Sequence, residues 1–272
     1  MVLKRKKYPR PKRSYVQALD ALRRVSKICP ISDDEALGIH GQPGCEVWED
    51  PMLRVVVWNL AKGASKSLFV HEFRRLRDQS DVFLTQEALL TETLVELFRE
   101  PGFQGVHAGA YGRSDGVRDG VMTLARMRFI EGQRILSQGR EPIFRTPKSA
   151  LLTKYSLGSR ELAVVNVHST LVRSVAQAKR ELEHIIEKLG DHQGPIVFGG
   201  DFNTFSPRYL EGIAHILGHL GLEYVSLTND PRHALDSLDQ IFVRGFTTVK
   251  AFVDIHTSGS DHFPIIIHLS LN

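Results

Sequence analysis

"PIVFGGDFN", residues 195–203, is the stretch from which the fold follows. Its short apolar run, bounded by Pro195 and the Gly199-Gly200 pair, reads as a buried strand. It stops on two oxygen-bearing side chains, Asp201 and Asn203. The paired glycines let backbone, or a ligand, come close at the strand's end. One such terminus is an ordinary turn, since Asp and Asn favour turns. Here the pattern repeats. "VVVWN" ends at Asn59 and "VFLTQE" at Glu87, while "AVVNVHS" carries Asn166 and His168 two apart, on one face of a strand. "LDQIFV" opens with Asp239, and "SGSDHFPIII" (258–267) sets Asp261 and His262 directly before the last strand.

Between these runs lie amphipathic helices. The apolar spacing predicts helices over 65–78, 91–100, 174–190 and 207–221. Strands are expected at 53–60, 81–89, 120–127, 148–157, 161–170, 195–203, 237–245, 248–255 and 264–271, with 120–127 and 148–157 paired across a polar connection. Strands mixed with helices over this length imply a layered α/β domain. Some neighbouring strands have only short links, so the sheets should be mixed rather than purely parallel. No composition shift follows residue 52, so 53–272 is expected to be one domain. Residues 1–52 precede it as a basic tail, an amphipathic helix and a Gly/Pro-rich connecting arm.

The formal net charge is +4. Seven basic residues fall within 1–13, and setting them aside leaves 28 basic against 31 acidic residues in the rest. The basicity therefore resides in the tail, which suits a phosphate backbone or an anionic surface. Behind it "SYVQALDALRRVSKI" spaces Tyr15, Leu19, Leu22, Val25 and Ile28 at helical intervals, with Ser14 as N-cap. That stripe docks on the body or lies on a membrane surface. No run approaches the roughly 18 apolar residues of a spanning helix, and no secretory h-region is visible. Cys29 and Cys45 form no CxxC pair. A cytoplasmic protein is expected.

The chemistry shared by the strand ends is hard-cation ligation beside a supported imidazole. Glu87, Asp201 and Asp261 offer carboxylates, and Asn59 and Asn203 offer amides. Mg²⁺ or Mn²⁺ takes such oxygens, with water and phosphate completing its shell. His262 cannot be oriented by its neighbour Asp261, because adjacent side chains diverge. Asp239 is the candidate to hold its ring and fix its tautomer.

In chain order, "VVVWN", "FLTQE", "VVNVHST", "FGGDFN", "LDQIFV" and "SDHFP" resemble the signature blocks of the endonuclease/exonuclease/phosphatase superfamily, the DNase I-like fold. The resemblance covers about residues 53–271. "DGVMTLA", "GREPIFRTPKSAL" and "VVNVHS" are similar to its bacterial YafD-like branch. The resemblance implies a four-layer α/β/β/α sandwich with two mixed sheets and an active site at one edge. It implies metal-dependent phosphoester hydrolysis, with Glu87, Asn59 and Asp261 as metal residues. His262, oriented by Asp239, would be general base or would stabilise the phosphorane, and Asp201 competes for positioning the water. Asn203 and His168 would donate to phosphate oxygens, with His168 also a candidate acid near the leaving group. A nuclease is the expected activity. The alternatives are a phosphatase on a small or lipid phosphoester and a non-catalytic scaffold. Arg140, Arg145, Lys148 and Arg208 are candidates to line the cleft.

Two other motifs compete. "GRSDG" (112–116) fits G-x-S-x-G and would make Ser114 a nucleophile, but that motif needs a strand before and a helix after. Its flanks, "GVHAGAY" and "VRDGVMTLA", read as loop and strand. "HILGH" sets His215 and His219 four apart but lacks the HExxH glutamate, so an exposed helix face is expected.

Overall fold

The computed structural model describes residues 28–63, 66–141, 145–171, 175–204, 206–232 and 238–272. The basic tail, and the 14–28 helix apart from Ile28, lie outside these.

Fourteen strands build two sheets among the described residues. The strands are β1 (Ile28–Cys29), β2 (Leu37–Gln42), β3 (Met52–Asn59), β4 (Val82–Gln86), β5 (Phe103–Arg113), β6 (Arg118–Ala125), β7 (Phe129–Leu136), β8 (Ser149–Leu157), β9 (Arg160–His168), β10 (Ile196–Asp201), β11 (Glu223–Tyr224), β12 (Asp239–Arg244), β13 (Phe246–Val253) and β14 (Ile265–Leu271). One sheet runs β1-β5-β6-β4-β3-β14-β13, with β2 also on β5, and the other runs β11-β12-β10-β9-β8-β7. Only β3–β4 and β9–β10 are parallel among these pairs, so both sheets are mixed.

The "VVVW" run is continuous because both faces of β3 are covered. Val55 and Val57 point between the sheets, against Val164, Val197 and Ile241. Val56 and Trp58 point outward, against Phe69, Phe73 and Leu76 of the helix Lys66–Asp78 and Phe98 of the helix Glu92–Arg99. The second sheet repeats this: Val165, Val167 and Phe198 face Leu182 and Ile185 of the helix Val175–Leu189 and Ile213 of the helix Pro207–Gly218. The outcome is the expected four layers, helix, sheet, sheet, helix. Thr91 and Ser206 cap two of the helices, each accepting a backbone N–H three residues on. Among the described residues, no helix is long and apolar enough to cross a membrane.

Two expectations change. Strands β6 and β8 do not pair; they belong to different sheets, because β5 and β7 intervene and form the antiparallel partners. The stretch 29–51, expected as a connecting arm, adds β1 and β2 to β5, and its backbone bonds supply the pairing that its Gly- and Pro-rich sequence does not advertise.

The sheets share one polar edge. Register pairs Asn59 with Gln86, the residue before Glu87, and pairs Asp201 with both His168 and Asp239. Gly200 makes this possible. Its φ is +140°, and a Cβ there would lie 2.0 Å from the Val167 carbonyl oxygen, so the β9–β10 pairing at Asp201 admits only glycine.

Candidate active site

Asp201 sits at the hub of the edge. Its Oδ2 accepts the Asn59 amide N–H at 2.9 Å and lies 3.6 Å from His168 Nε2, while Oδ1 accepts the Asn203 backbone N–H at 2.9 Å. Asn59 is fixed in turn, because its Oδ1 accepts the Ala61 N–H at 3.0 Å. Asn203 has φ +51°, a conformation tolerated by Asn, and its amide donates to the Ser169 carbonyl at 2.7 Å. The loop before β14 is tied down by Trp58, whose indole N–H donates to the His262 carbonyl at 3.0 Å, and by Ser260, whose hydroxyl donates to the Asn59 carbonyl at 2.7 Å.

This anchoring delivers His262 to Asp239: Nδ1 lies 2.9 Å from Oδ2, which leaves Nε2 as the ring atom free to serve the site. Asp201, Asp239 and His262 each offer a ligand atom, and these atoms lie within 4.8 Å of one another. Burial opposes charge on His262, but Asp239, then Asp201 and Asp261, outweigh it and push the imidazole up to about 10. His168 is the opposite case. Burial, reinforced by Lys148, pushes it down to about 3 against Asp201 and Glu87, so it is neutral at pH 7.

Glu87 follows β4 with φ +49°, ahead of the Thr91 cap rather than inside the helix. Lys62 lies 3.2 Å from its Oε2 and Lys148 lies 3.6 Å from its Oε1. Burial works to raise the Glu87 pKa, yet Lys62, Lys148 and His168 prevail and hold it at about 2. Asp261 is exposed, its carboxylate 3.4 Å from the Ser260 hydroxyl. It stands outside the 4.8 Å group and reaches the site through its field on His262.

The donor set suits a hard divalent cation: carboxylates and amides on converging strand ends, with Asp239 Oδ1 buried and without a hydrogen-bond partner. Cys29 and Cys45 take no part in it.

Sequence reasoning missed four groups. Lys62 and Asp119 sit 3.7 Å apart, and the Tyr111 hydroxyl donates to the same Asp119 oxygen at 2.7 Å. Arg232 donates to the Asp239 carbonyl at 3.3 Å and lies 3.6 Å from its carboxylate. "DGVMTLA" displayed Asp119, but nothing in the sequence links Lys62, Tyr111 or Arg232 to the site. Of the four basic cleft candidates, Lys148 reaches Glu87, whereas Arg140, Arg145 and Arg208 are exposed. Ser114 lies in the β5–β6 turn, with strands on both sides rather than a following helix. His215 and His219 stack edge to face on an exposed helix end, centroids 4.7 Å apart.

The chain has relatives. Residues 56–262 match the profile of the endonuclease/exonuclease/phosphatase family. A UPF0294 protein of Yersinia enterocolitica is 32% identical over 261 residues, covering 94% of this chain and 98% of that protein. Among solved structures, an endonuclease/exonuclease/phosphatase from Beutenbergia cavernae superposes with a TM-score of 0.65 at 17% identity, covering 81% of this chain and 72% of that one. D. rerio TDP2 complexed with a single-strand DNA product superposes with a TM-score of 0.57 at 16% identity, covering 81% of this chain and all (100%) of that one. At these identities the two structures share the fold.

Proposed function

The chain belongs to the endonuclease/exonuclease/phosphatase family, and from that premise we propose that it is a divalent-cation-dependent phosphodiesterase, a nuclease. The observation that carries this is the convergence of Asn59, Glu87, His168, Asp201, Asn203, Asp239 and His262 on one edge, from strands of both sheets.

Glu87, together with Asn59 and Asp261, would hold Mg²⁺ or Mn²⁺. Bound there, the cation supplies charge neutralisation for the phosphoryl oxygens. The chain's own groups do the rest. Asp201 orients the attacking water, its second oxygen being held by the Asn203 N–H. His262, charged and gripped by Asp239, presents Nε2–H to a non-bridging oxygen, where negative charge builds in the transition state. Neutral His168 and the amide of Asn203 are further donors to the phosphate. With its pKa so low, His168 is a hydrogen-bond donor rather than a proton source.

Two observations favour nucleic acid. Residues 1–13 carry seven basic residues and no acid, a charge run that suits a phosphate backbone. A structural neighbour, D. rerio TDP2, carries a single-strand DNA product. The second reading, a phosphatase on a small phosphoester, has in its favour the 28-to-31 basic-to-acidic balance beyond residue 13, which leaves the body itself a poor phosphate track. The test is a Mg²⁺/Mn²⁺ screen of single- and double-stranded nucleic acids, other diesters and monoesters, with Glu87→Ala as control. The expected result is cation-dependent diester cleavage that disappears in a folded Glu87→Ala protein. Undiminished activity in that variant overturns it.

A further inference from the structure

The turn after β3 is backbone of a kind that L-residues rarely adopt. Ala61, Lys62 and Gly63 have φ of 45°, 59° and 70° in succession. Such a run persists only where the surroundings fix it, and it concentrates at functional sites. Here the Leu60 N–H donates to the Gln86 carbonyl at 2.9 Å, the Ala61 N–H to Asn59 Oδ1 at 3.0 Å, and the Gly63 N–H to the Leu60 carbonyl at 2.8 Å. The turn sends Lys62 across the end of β4, where its ammonium lies between Glu87 and Asp119. Lys148 arrives from the other sheet, just before β8, and takes the opposite Glu87 oxygen. Each carboxylate oxygen therefore faces its own ammonium, one from each sheet.

A divalent cation needs a Glu87 oxygen at ~2 Å, and both Glu87 oxygens face an ammonium whose like charge repels it. Lysine is a compact charge on a flexible stem, so it can withdraw. Lys62 cannot withdraw far, because Asp119, itself held by the Tyr111 hydroxyl, retains it at the site. With Glu87 as cation ligand, a displaced ammonium retained by Asp119 stays beside the cation, and so within reach of a phosphoryl anion that the cation holds.

We propose that Lys62 and Lys148 are exchangeable counter-ions of Glu87: they oppose entry of a divalent cation and, once displaced from the carboxylate, bind the phosphoryl oxygens. Cation and phosphate then bind cooperatively, since each relieves the charge that opposes the other. This rests on the reading of Glu87 as a cation ligand.

Calorimetric titration of Mn²⁺ into the wild type, Lys62→Met, Lys148→Met and Glu87→Gln, with and without inorganic phosphate, separates the two claims. The expected result is that each lysine variant binds Mn²⁺ alone about tenfold more tightly than wild type. Wild type gains affinity when phosphate is present, and the lysine variants lose most of that gain. A merely structural lysine would give equal or weaker Mn²⁺ binding and would keep the phosphate effect; that result overturns the proposal even if Glu87→Gln abolishes binding. Wild-type binding in Glu87→Gln would instead remove Glu87 as ligand, and with it both this proposal and the functional reading. If thermal melting shows that Lys62→Met fails to fold, Lys148→Met, on the opposite sheet, decides alone.

Discussion

Asn166 is the residue whose loss should be felt furthest from where it sits. It points from β9 into the space between the sheets, fully buried, and bonds four groups of the other sheet, the Thr123 hydroxyl at 3.5 Å being the most distant. Its amide donates to the carbonyls of Thr85 at 3.1 Å and Met122 at 2.9 Å, and its oxygen accepts the Gln86 side-chain N–H at 2.7 Å. In Asn166→Ala these partners stay buried without it. The Met122 carbonyl keeps the Thr85 hydroxyl, 3.1 Å away, so its loss is discounted. Gln86 has no such reserve: among the described residues its side-chain N–H donates to the Asn166 oxygen alone. At about 1–3 kcal/mol for a stranded buried donor and about 1 kcal/mol for the weakened Thr85 carbonyl, the total is about 3 kcal/mol. Urea unfolding at pH 7 should show the midpoint falling with an unchanged m-value. Because Gln86 supplies part of the effect, Asn166→Ala and Gln86→Ala should be non-additive, with a coupling of at least about 1 kcal/mol. A loss under about 1 kcal/mol, or additive variants, would mean that this amide does not join the sheets.

Other perturbations address the site and its surroundings. Asp239→Asn should lower turnover by about 10³–10⁴-fold, as loss of an imidazole-orienting carboxylate does elsewhere, with little change in KM; wild-type turnover would contradict the assigned pairing. His107 is buried, and burial pushes it down to about 4 despite its bond to the Ala88 carbonyl at 3.0 Å. Below pH 6.5 the unfolded chain takes up a proton that folded His107 refuses, so stability falls from pH 6.5 toward 4 at about 1.4 kcal/mol per pH unit. His107→Gln should lose about 2 kcal/mol less than wild type between pH 6.5 and 5, and equal losses would refute the cause. Deleting residues 1–13 should weaken nucleic-acid binding and flatten its dependence on log salt; an unchanged slope would exclude the tail from binding.

The fold was legible where apolar runs stop on turn residues. "VVVWN" and "PIVFGGDFN" announce covered strands because both faces meet core, and their polar ends mark the edge where functional groups collect. Strand β5 hid itself. Gly105 and Gly109 weaken its strand signal, yet each leaves room for another side chain: a Cβ would meet Met122 Sδ at 3.0 Å and Ile31 Cδ1 at 2.5 Å. Strand β7 reads as polar because it is the rim strand of its sheet and exposes Ile130, Glu131 and Gln133. At the site, acids, amides and imidazoles were legible because the same kind of polar terminus recurs on strand after strand of one chain. Lys62 was not, since a left-handed turn aims it, and lysines are common on any surface. Nor was Arg232, whose approach to Asp239 is set by a loop.

The central claim is that Glu87 and the Asp201–Asp239–His262 group form one cation-and-phosphate pocket. The most direct test is an anomalous difference map from crystals soaked in Mn²⁺ and a non-hydrolysable phosphodiester. The account predicts a manganese peak bonded to a Glu87 oxygen at ~2.1–2.2 Å, with the phosphorus between it and His262 Nε2. A peak elsewhere, with Glu87 still engaged by Lys62 and Lys148 while the diester is bound, would contradict it.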